Sequence, residues 1–247
     1  MIHPSGSNGH QHGSRPHDLA PRSEGWLAVA YFLAYLAYLF WKPESEVHHW
    51  VSLVALPLLL VLVLRRTRVA WPSGLLASFG IRRANWTRGL LWAVLLGLGL
   101  SVFQVSQSRY AEEVWEIIQS GRVLYLFPLV LAVMLLTAGF TEEFFFRGFI
   151  QTRLEPLLRS RIAALLVTSI LFGVYHVPYA YLNPNWPSAG DWTAAWQAAL
   201  GQGIPGGLIL GAVYLWSRHN LFATIVLHSL INAVPGLAMI RFAVGSG

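Results

Sequence analysis

Six side chains in a mostly apolar chain have the types and spacing for hydrolytic chemistry: Glu142, Glu143 and Arg147 in TEEFFFRGF, His176 in LFGVYHVPY, and His228 with Asn232 in LHSLIN. Ionisable groups inside a membrane cost at least ~2.5 kcal/mol each, so their presence there is read as functional. Glu143 and Arg147 are four apart and share a helix face, where a charge-assisted pair lowers the cost of burying both. Glu142 is turned about 100° away, lacks an intrahelical cation, and is the carboxylate left for chemistry. Phe172 and His176 are also four apart, with the phenylalanine expected to stack beside the imidazole, and His228 and Asn232 form a third such pair.

Apolar surroundings disfavour the charged form of a carboxylate, which suits Glu142 to act as a general base, with the His176 imidazole sharing the deprotonation of water. His228 and Asn232 could donate hydrogen bonds to the oxyanion of an amide under hydrolysis. No Ser or Cys nucleophile stands in an obvious motif, and cysteine is absent, so direct attack by activated water is the simplest chemistry. Glu142, His176 and His228 could alternatively hold Zn2+, because two histidines and a glutamate form a catalytic ligand set with an open position. The spacing does not match the helical H-E-x-x-H arrangement, so no cofactor is expected, with zinc as the alternative.

Depth follows from helix rise. Glu142 stands about seventeen residues before the turn near Arg159–Arg161 and His176 about sixteen after it, each ~25 Å along a helix, so an antiparallel hairpin brings them level. His228 and Asn232 stand roughly 13–20 Å beyond the turn near Arg218, so a shared cavity requires tilt. Hydropathy alone puts Glu142 nearer the inner boundary. Blander readings exist: an ion network pinning helices, a satisfied core histidine at 176, and interhelical glue of ~0.6 kcal/mol at His228 and Asn232. None of them accounts for all three groups together.

The elements that must position these groups are membrane helices. Of 247 residues, 55% are hydrophobic and 11% charged, and the mean hydropathy is +0.51, whereas soluble domains carry about 25% charged residues. Apolar runs fall at 26–41, 50–64, 89–107, 123–141 with its continuation, 162–181, 194–216 and 220–240. They lack a barrel's alternation, so the expected fold is all-α, a polytopic transmembrane helical bundle of about seven spans. The first two runs are short enough to be tilted or interfacial. Expected organisation is a disordered polar tail over 1–24, N-terminal membrane helices over 25–122, and a catalytic core over 123–247. His10 and His12 in the tail lack a third ligand and are read as solvated.

The net charge of +6 does not imply nucleic acid, because the arginines sit in short loops between apolar runs, which is the positive-inside pattern. The loop carrying Arg65, Arg66, Arg68, Arg82, Arg83 and Arg88 is therefore placed inside, with GLLASFGIRR as a short helix on the membrane surface. Arg153, Arg159, Arg161 and Arg218 agree with alternation from there, and Arg109, Arg122 and Arg241 do not. Trp26, Trp41, Trp50, Trp71, Trp86, Trp115, Trp186, Trp192 and Trp216 fall at span ends and are read as interfacial anchors. The lipid bilayer and a peptide or membrane-protein substrate are the expected partners, and the bacterial inner (plasma) membrane the expected location.

In order, Glu142-Glu143…Arg147, Phe172…His176 and His228…Asn232 resemble the motifs EExxxR, FxxxH and HxxxN of the CPBP family, which contains the CAAX prenyl endopeptidases related to Rce1 and the bacterial Abi membrane proteins. The resemblance spans roughly residues 140–235. It implies an intramembrane endopeptidase with an all-helical, Rce1-like core, in which Glu142 and His176 activate water, His228 and Asn232 form the oxyanion site, and Glu143 and Arg147 support them. The family has been described both as metalloproteases and as metal-independent glutamic proteases, and the resemblance favours the second. Its substrates range from prenylated CAAX tails to pheromones, bacteriocins and sorting signals. The charge-based topology puts His176 in the outer half of the membrane, which favours an exported or membrane-anchored substrate. The competing class is a non-catalytic membrane protein, a bacteriocin-immunity or scaffold protein. A proton-coupled transporter would not need Asn232 beside His228.

Overall fold

In lipid no water satisfies backbone groups, so the chain folds as helices. The computed structural model of the protein describes residues 20–41, 46–66, 74–81, 86–108, 110–184 and 186–244. No strand occurs among the described residues. Among the described residues seven helices are long and apolar enough to cross a membrane: Arg22–Trp41, His48–Arg65, Thr87–Ser106, Val123–Leu158, Arg161–Leu182, Trp192–Trp216 and Leu221–Ala238, called here the first to seventh spans. The chain is an integral, multi-pass membrane protein. The first two spans reach 20 and 18 residues, enough to cross without special tilt.

The seventh span lies at the centre, with 67% of it buried. It packs on the third, fourth and sixth spans. The fourth span, 36 residues long, would be about 54 Å if straight, nearly twice the hydrocarbon thickness. It bends instead. Thr137 leaves helical geometry (φ −93°, ψ −106°), and π-helical turns occupy Leu135–Gly139 and Phe144–Gln151. Such turns insert an extra residue and re-aim the side chains beyond them. The hairpin to the fifth span turns at Arg159, in the left-handed region (φ 55°), and Ser160 caps the new helix by accepting from Ala163 N at 3.1 Å.

Two expectations are corrected. The first span begins at Arg22, inside the stretch read as polar tail, because Glu24 is buried and chelates Arg65 through both carboxylate oxygens (2.7 and 3.0 Å). Residues 1–19, with His10 and His12, lie outside the described residues, as do Arg68, Arg82, Arg83, Trp71, Arg109 and the side chains of Arg66, Trp86 and Arg241. The surface helix expected over 74–83 is a single 3-10 turn, Leu76–Phe79, with Ser78 and Phe79 fully buried. Phe79 stacks on Phe144 (4.7 Å, 11°), and the Arg153 guanidinium lies 4.2 Å above its ring. Gly148, the glycine of TEEFFFRGF, permits this, since a Cβ there would sit 2.8 Å from the Phe79 carbonyl. Trp50 stacks on Phe140 (5.2 Å, 20°) and is still exposed, as are Trp26, Trp41, Trp115, Trp192 and Trp216.

The basic end of the bundle holds a buried ion cluster. Arg153 Nε lies 3.3 Å from Glu24, and His219 Nε2 hydrogen-bonds Glu155 at 2.8 Å. The second contact sets the base of the seventh span level with Glu155, four residues above Arg159, roughly 6 Å into the bundle. That recess removes about half of the depth mismatch between His228 and Glu142.

Candidate active site

The pair expected within TEEFFFRGF forms. Arg147 Nη1 donates to Glu143 Oε1 at 2.8 Å, and both side chains are fully buried. The pair spans a π-helical turn and keeps its i,i+4 contact. Arg147 Nη2 also donates to the Gly207 carbonyl of the sixth span at 3.1 Å, and the guanidinium lies 4.6 Å above the Phe172 ring of the fifth. One arginine thus ties three spans together.

Glu143 does more than neutralise Arg147. Its Oε1 also accepts from His228 Nδ1 at 2.8 Å. Local spacing carries no signal for that bond, because the two residues are 85 positions apart. His176 Nδ1 lies 2.7 Å from the Phe172 carbonyl, which can only accept, so Nδ1 carries the hydrogen. Both rings therefore present Nε2 to the same place.

That place is Glu142. Its Oε2 lies 3.8 Å from His176 Nε2 and 3.9 Å from His228 Nε2, beyond hydrogen-bond length. Glu24, Glu142, Glu143 and Glu155 are buried, and among them Glu142 alone makes no hydrogen bond to a described residue; its buried Oε2 is unpartnered. Asn232 follows one turn after His228, half-buried and without a side-chain hydrogen bond to the described residues. Phe172 contacts both histidines edge-on (4.7 Å, 64° to His176; 5.9 Å, 71° to His228) and does not stack flat as expected, an arrangement the ring quadrupole favours.

Whether these donors suit a metal turns on spacing. A tetrahedral ion with bonds of about 2.0–2.1 Å holds its ligand atoms roughly 3.3 Å apart. The Oε2–Nε2 separations of 3.8 and 3.9 Å exceed that, and no group of three His, Cys, Asp or Glu among the described residues is gathered for an ion. The same separations fit a water bridging the atoms at about 2.8 Å from each.

Residues 124–234 match the sequence model of the family described as type II CAAX prenyl endopeptidase Rce1-like. No curated protein and no solved structure matches the chain. The matched segment contains Glu142, Glu143, Arg147, Phe172, His176, His228 and Asn232. The part of the chain that carries the site is thus similar to the Rce1-like family.

Proposed function

We propose that the protein is an intramembrane endopeptidase of glutamic type, hydrolysing a peptide bond in a lipidated, exported or membrane-anchored protein. The observation that carries this reading is the meeting of Glu142 Oε2 with two imidazole Nε2 atoms in a buried site where the carboxylate has no hydrogen-bond partner among the described residues. Water held there gives one hydrogen to Glu142 Oε2 and directs the other at His176 Nε2, the bare nitrogen of a ring whose Nδ1 is committed to Phe172. Its free lone pair attacks the scissile carbonyl carbon. As the C–O bond forms, the proton passes to Glu142 and the carbonyl oxygen becomes an oxyanion. Asn232 donates to that oxyanion. His228 can do so only when Nε2 carries a hydrogen as well as Nδ1. Collapse of the intermediate breaks the C–N bond, and Glu142 returns its proton to the leaving amine.

Zinc is the second reading. Its support is that each histidine already has its Nδ1 held, by Phe172 and by Glu143, the outer contact common for metal-binding imidazoles. The donor separations favour water. A non-catalytic immunity or scaffold role is the remaining alternative, and it gives no reason for an unpaired buried Glu142.

The test uses proteoliposomes with a quenched-fluorescent farnesylated CAAX-type peptide and its unlipidated form, alongside membrane proteomes of cells carrying wild type or Glu142→Gln. Wild type cleaves a peptide or depletes a precursor, and Glu142→Gln does neither. Equal precursor levels together with absent peptide cleavage would reject the enzyme reading.

A further inference from the structure

The second span carries a buried imidazole that the three motifs leave unexplained. His49 stands sixteen residues before Arg65, which is fixed at the basic end through Glu24 and so, by way of Arg153, to the fourth span. Sixteen residues are about 24 Å of helix, the same height that helix rise gives for Glu142 and His176. His49 is 7% exposed. Its Nδ1 lies 3.4 Å from the Tyr175 hydroxyl and 3.5 Å from that of Tyr179, both on the helix of His176. A buried imidazole among membrane helices is costly unless partnered, so its presence here needs a reason.

That reason lies in what Tyr175 touches. The Tyr175 ring is 1% exposed and meets His176 edge-on at 5.0 Å and 81°, while Phe172 meets His176 at 4.7 Å and 64°. The single hydrogen bond from Nδ1 to Phe172 O anchors one ring atom but leaves the ring free to tilt about it. Edge contacts with both Tyr175 and Phe172 limit that tilt, and hence the direction of Nε2 toward Glu142. Tyr175 is in turn held by stacking on Tyr35 (6.1 Å, 25°) and by His49. Trp50, turned about 100° from its neighbour, stacks on Phe140, two residues before Glu142. One dipeptide of the second span thus braces both helices that carry the water-binding groups.

We propose that His49, which lies outside the family-matched segment, is a positioning residue that aims His176 through Tyr175 and Tyr179. The proposal rests on the reading of His176 as part of the water-activating pair. Two arms test it on the full-length protein in proteoliposomes. With the farnesylated peptide, His49→Ala is expected to lower kcat about 10-fold and to move KM less than about 2-fold, because misaimed groups lose rate more than binding. His49→Gln, which can still reach the tyrosine hydroxyls, restores at least about half of kcat. Adding Tyr175→Phe and Tyr179→Phe to His49→Ala costs nothing further, since coupled groups are not additive.

The second arm needs no substrate. Diethylpyrocarbonate modification, read by mass spectrometry, is expected to change at His176 by about 3-fold or more in His49→Ala while His228, held by Glu143, stays unchanged. Unchanged kcat and unchanged His176 reactivity would overturn the proposal. Equal changes at His176 and His228, meaning general loosening, would also overturn it. If wild type cleaves nothing, the reading of the site fails separately, and the modification arm still decides the question about His49.

Discussion

The molecule buries charge in two places about three turns apart along the fourth span, and the two are built differently. At the basic end every carboxylate is held: Glu24 takes Arg65 bidentately with Arg153 beside it, and Glu155 takes His219 at 2.8 Å with Arg161 at 3.9 Å. At the other place Glu143 is held by Arg147 and His228, but Glu142 faces two imidazoles across 3.8 and 3.9 Å and bonds neither. A network with its carboxylates occupied fastens helices. A network with one carboxylate left open, beside two nitrogens aimed at it, has room for a water. Buried charge alone therefore does not mark the candidate site, and neither does one unpartnered oxygen, which Glu155 also has; a buried carboxylate with no hydrogen bond to any described residue does.

Substitutions that separate the two clusters should do so most strongly in rate. His176→Gln removes the bare Nε2 and should lower kcat by about 10³–10⁴-fold, measured on the farnesylated peptide, with thermal unfolding in detergent unchanged. Loss of cleavage accompanied by a large drop in Tm would place His176 with the fasteners. Arg147→Ala and Arg153→Ala each break a fully buried pair and should cost about 3–5 kcal/mol of stability, read by denaturant unfolding. They should differ in kcat per folded molecule: Arg147→Ala frees Glu143 and His228 and loses activity, while Arg153→Ala keeps it. A shared effect on kcat would blur the distinction between the clusters.

Much of this contrast is legible in the sequence, and the part that is not is long-range. The span positions, the Glu143–Arg147 pair and the levelling of Glu142 with His176 follow from helix periodicity and rise, which act over a few residues or one hairpin. The Glu143–His228 bond and the Glu24–Arg65–Arg153 cluster join residues on different spans, and no spacing rule encodes them. Arg65 and Arg153 read as loop charges because the positive-inside pattern counts charge near a boundary, not whether a side chain turns back into the bundle. Glu24 reads as tail because its stabilising partners lie 41 and 129 positions away. The π-helical turns leave no compositional trace in LLTAG or FFFRGFIQ, yet they flank the Phe140–Glu143 turn that carries Glu142.

Smaller effects sharpen the picture of the open cluster. Asn232→Ala should lower kcat by about 10²-fold with little change in KM, as expected when a donor acts on the oxyanion more than on the bound peptide; a change confined to KM would assign it to substrate binding. Incubation with 1,10-phenanthroline should leave the rate within about 2-fold if water and not an ion occupies the gap between Glu142 and the histidines. Loss of activity restored by added Zn2+ would reverse that assignment.

The most direct measurement pairs one glutamate from each cluster: kcat and Tm for Glu142→Gln and Glu24→Gln on the same reconstituted preparations. Glu142→Gln should abolish cleavage without lowering Tm, since neither carboxylate oxygen holds a described residue, and Glu24→Gln should lower Tm while each folded molecule still cleaves. Retained cleavage in Glu142→Gln, or a fall in Tm equal to that of Glu24→Gln, would contradict the account.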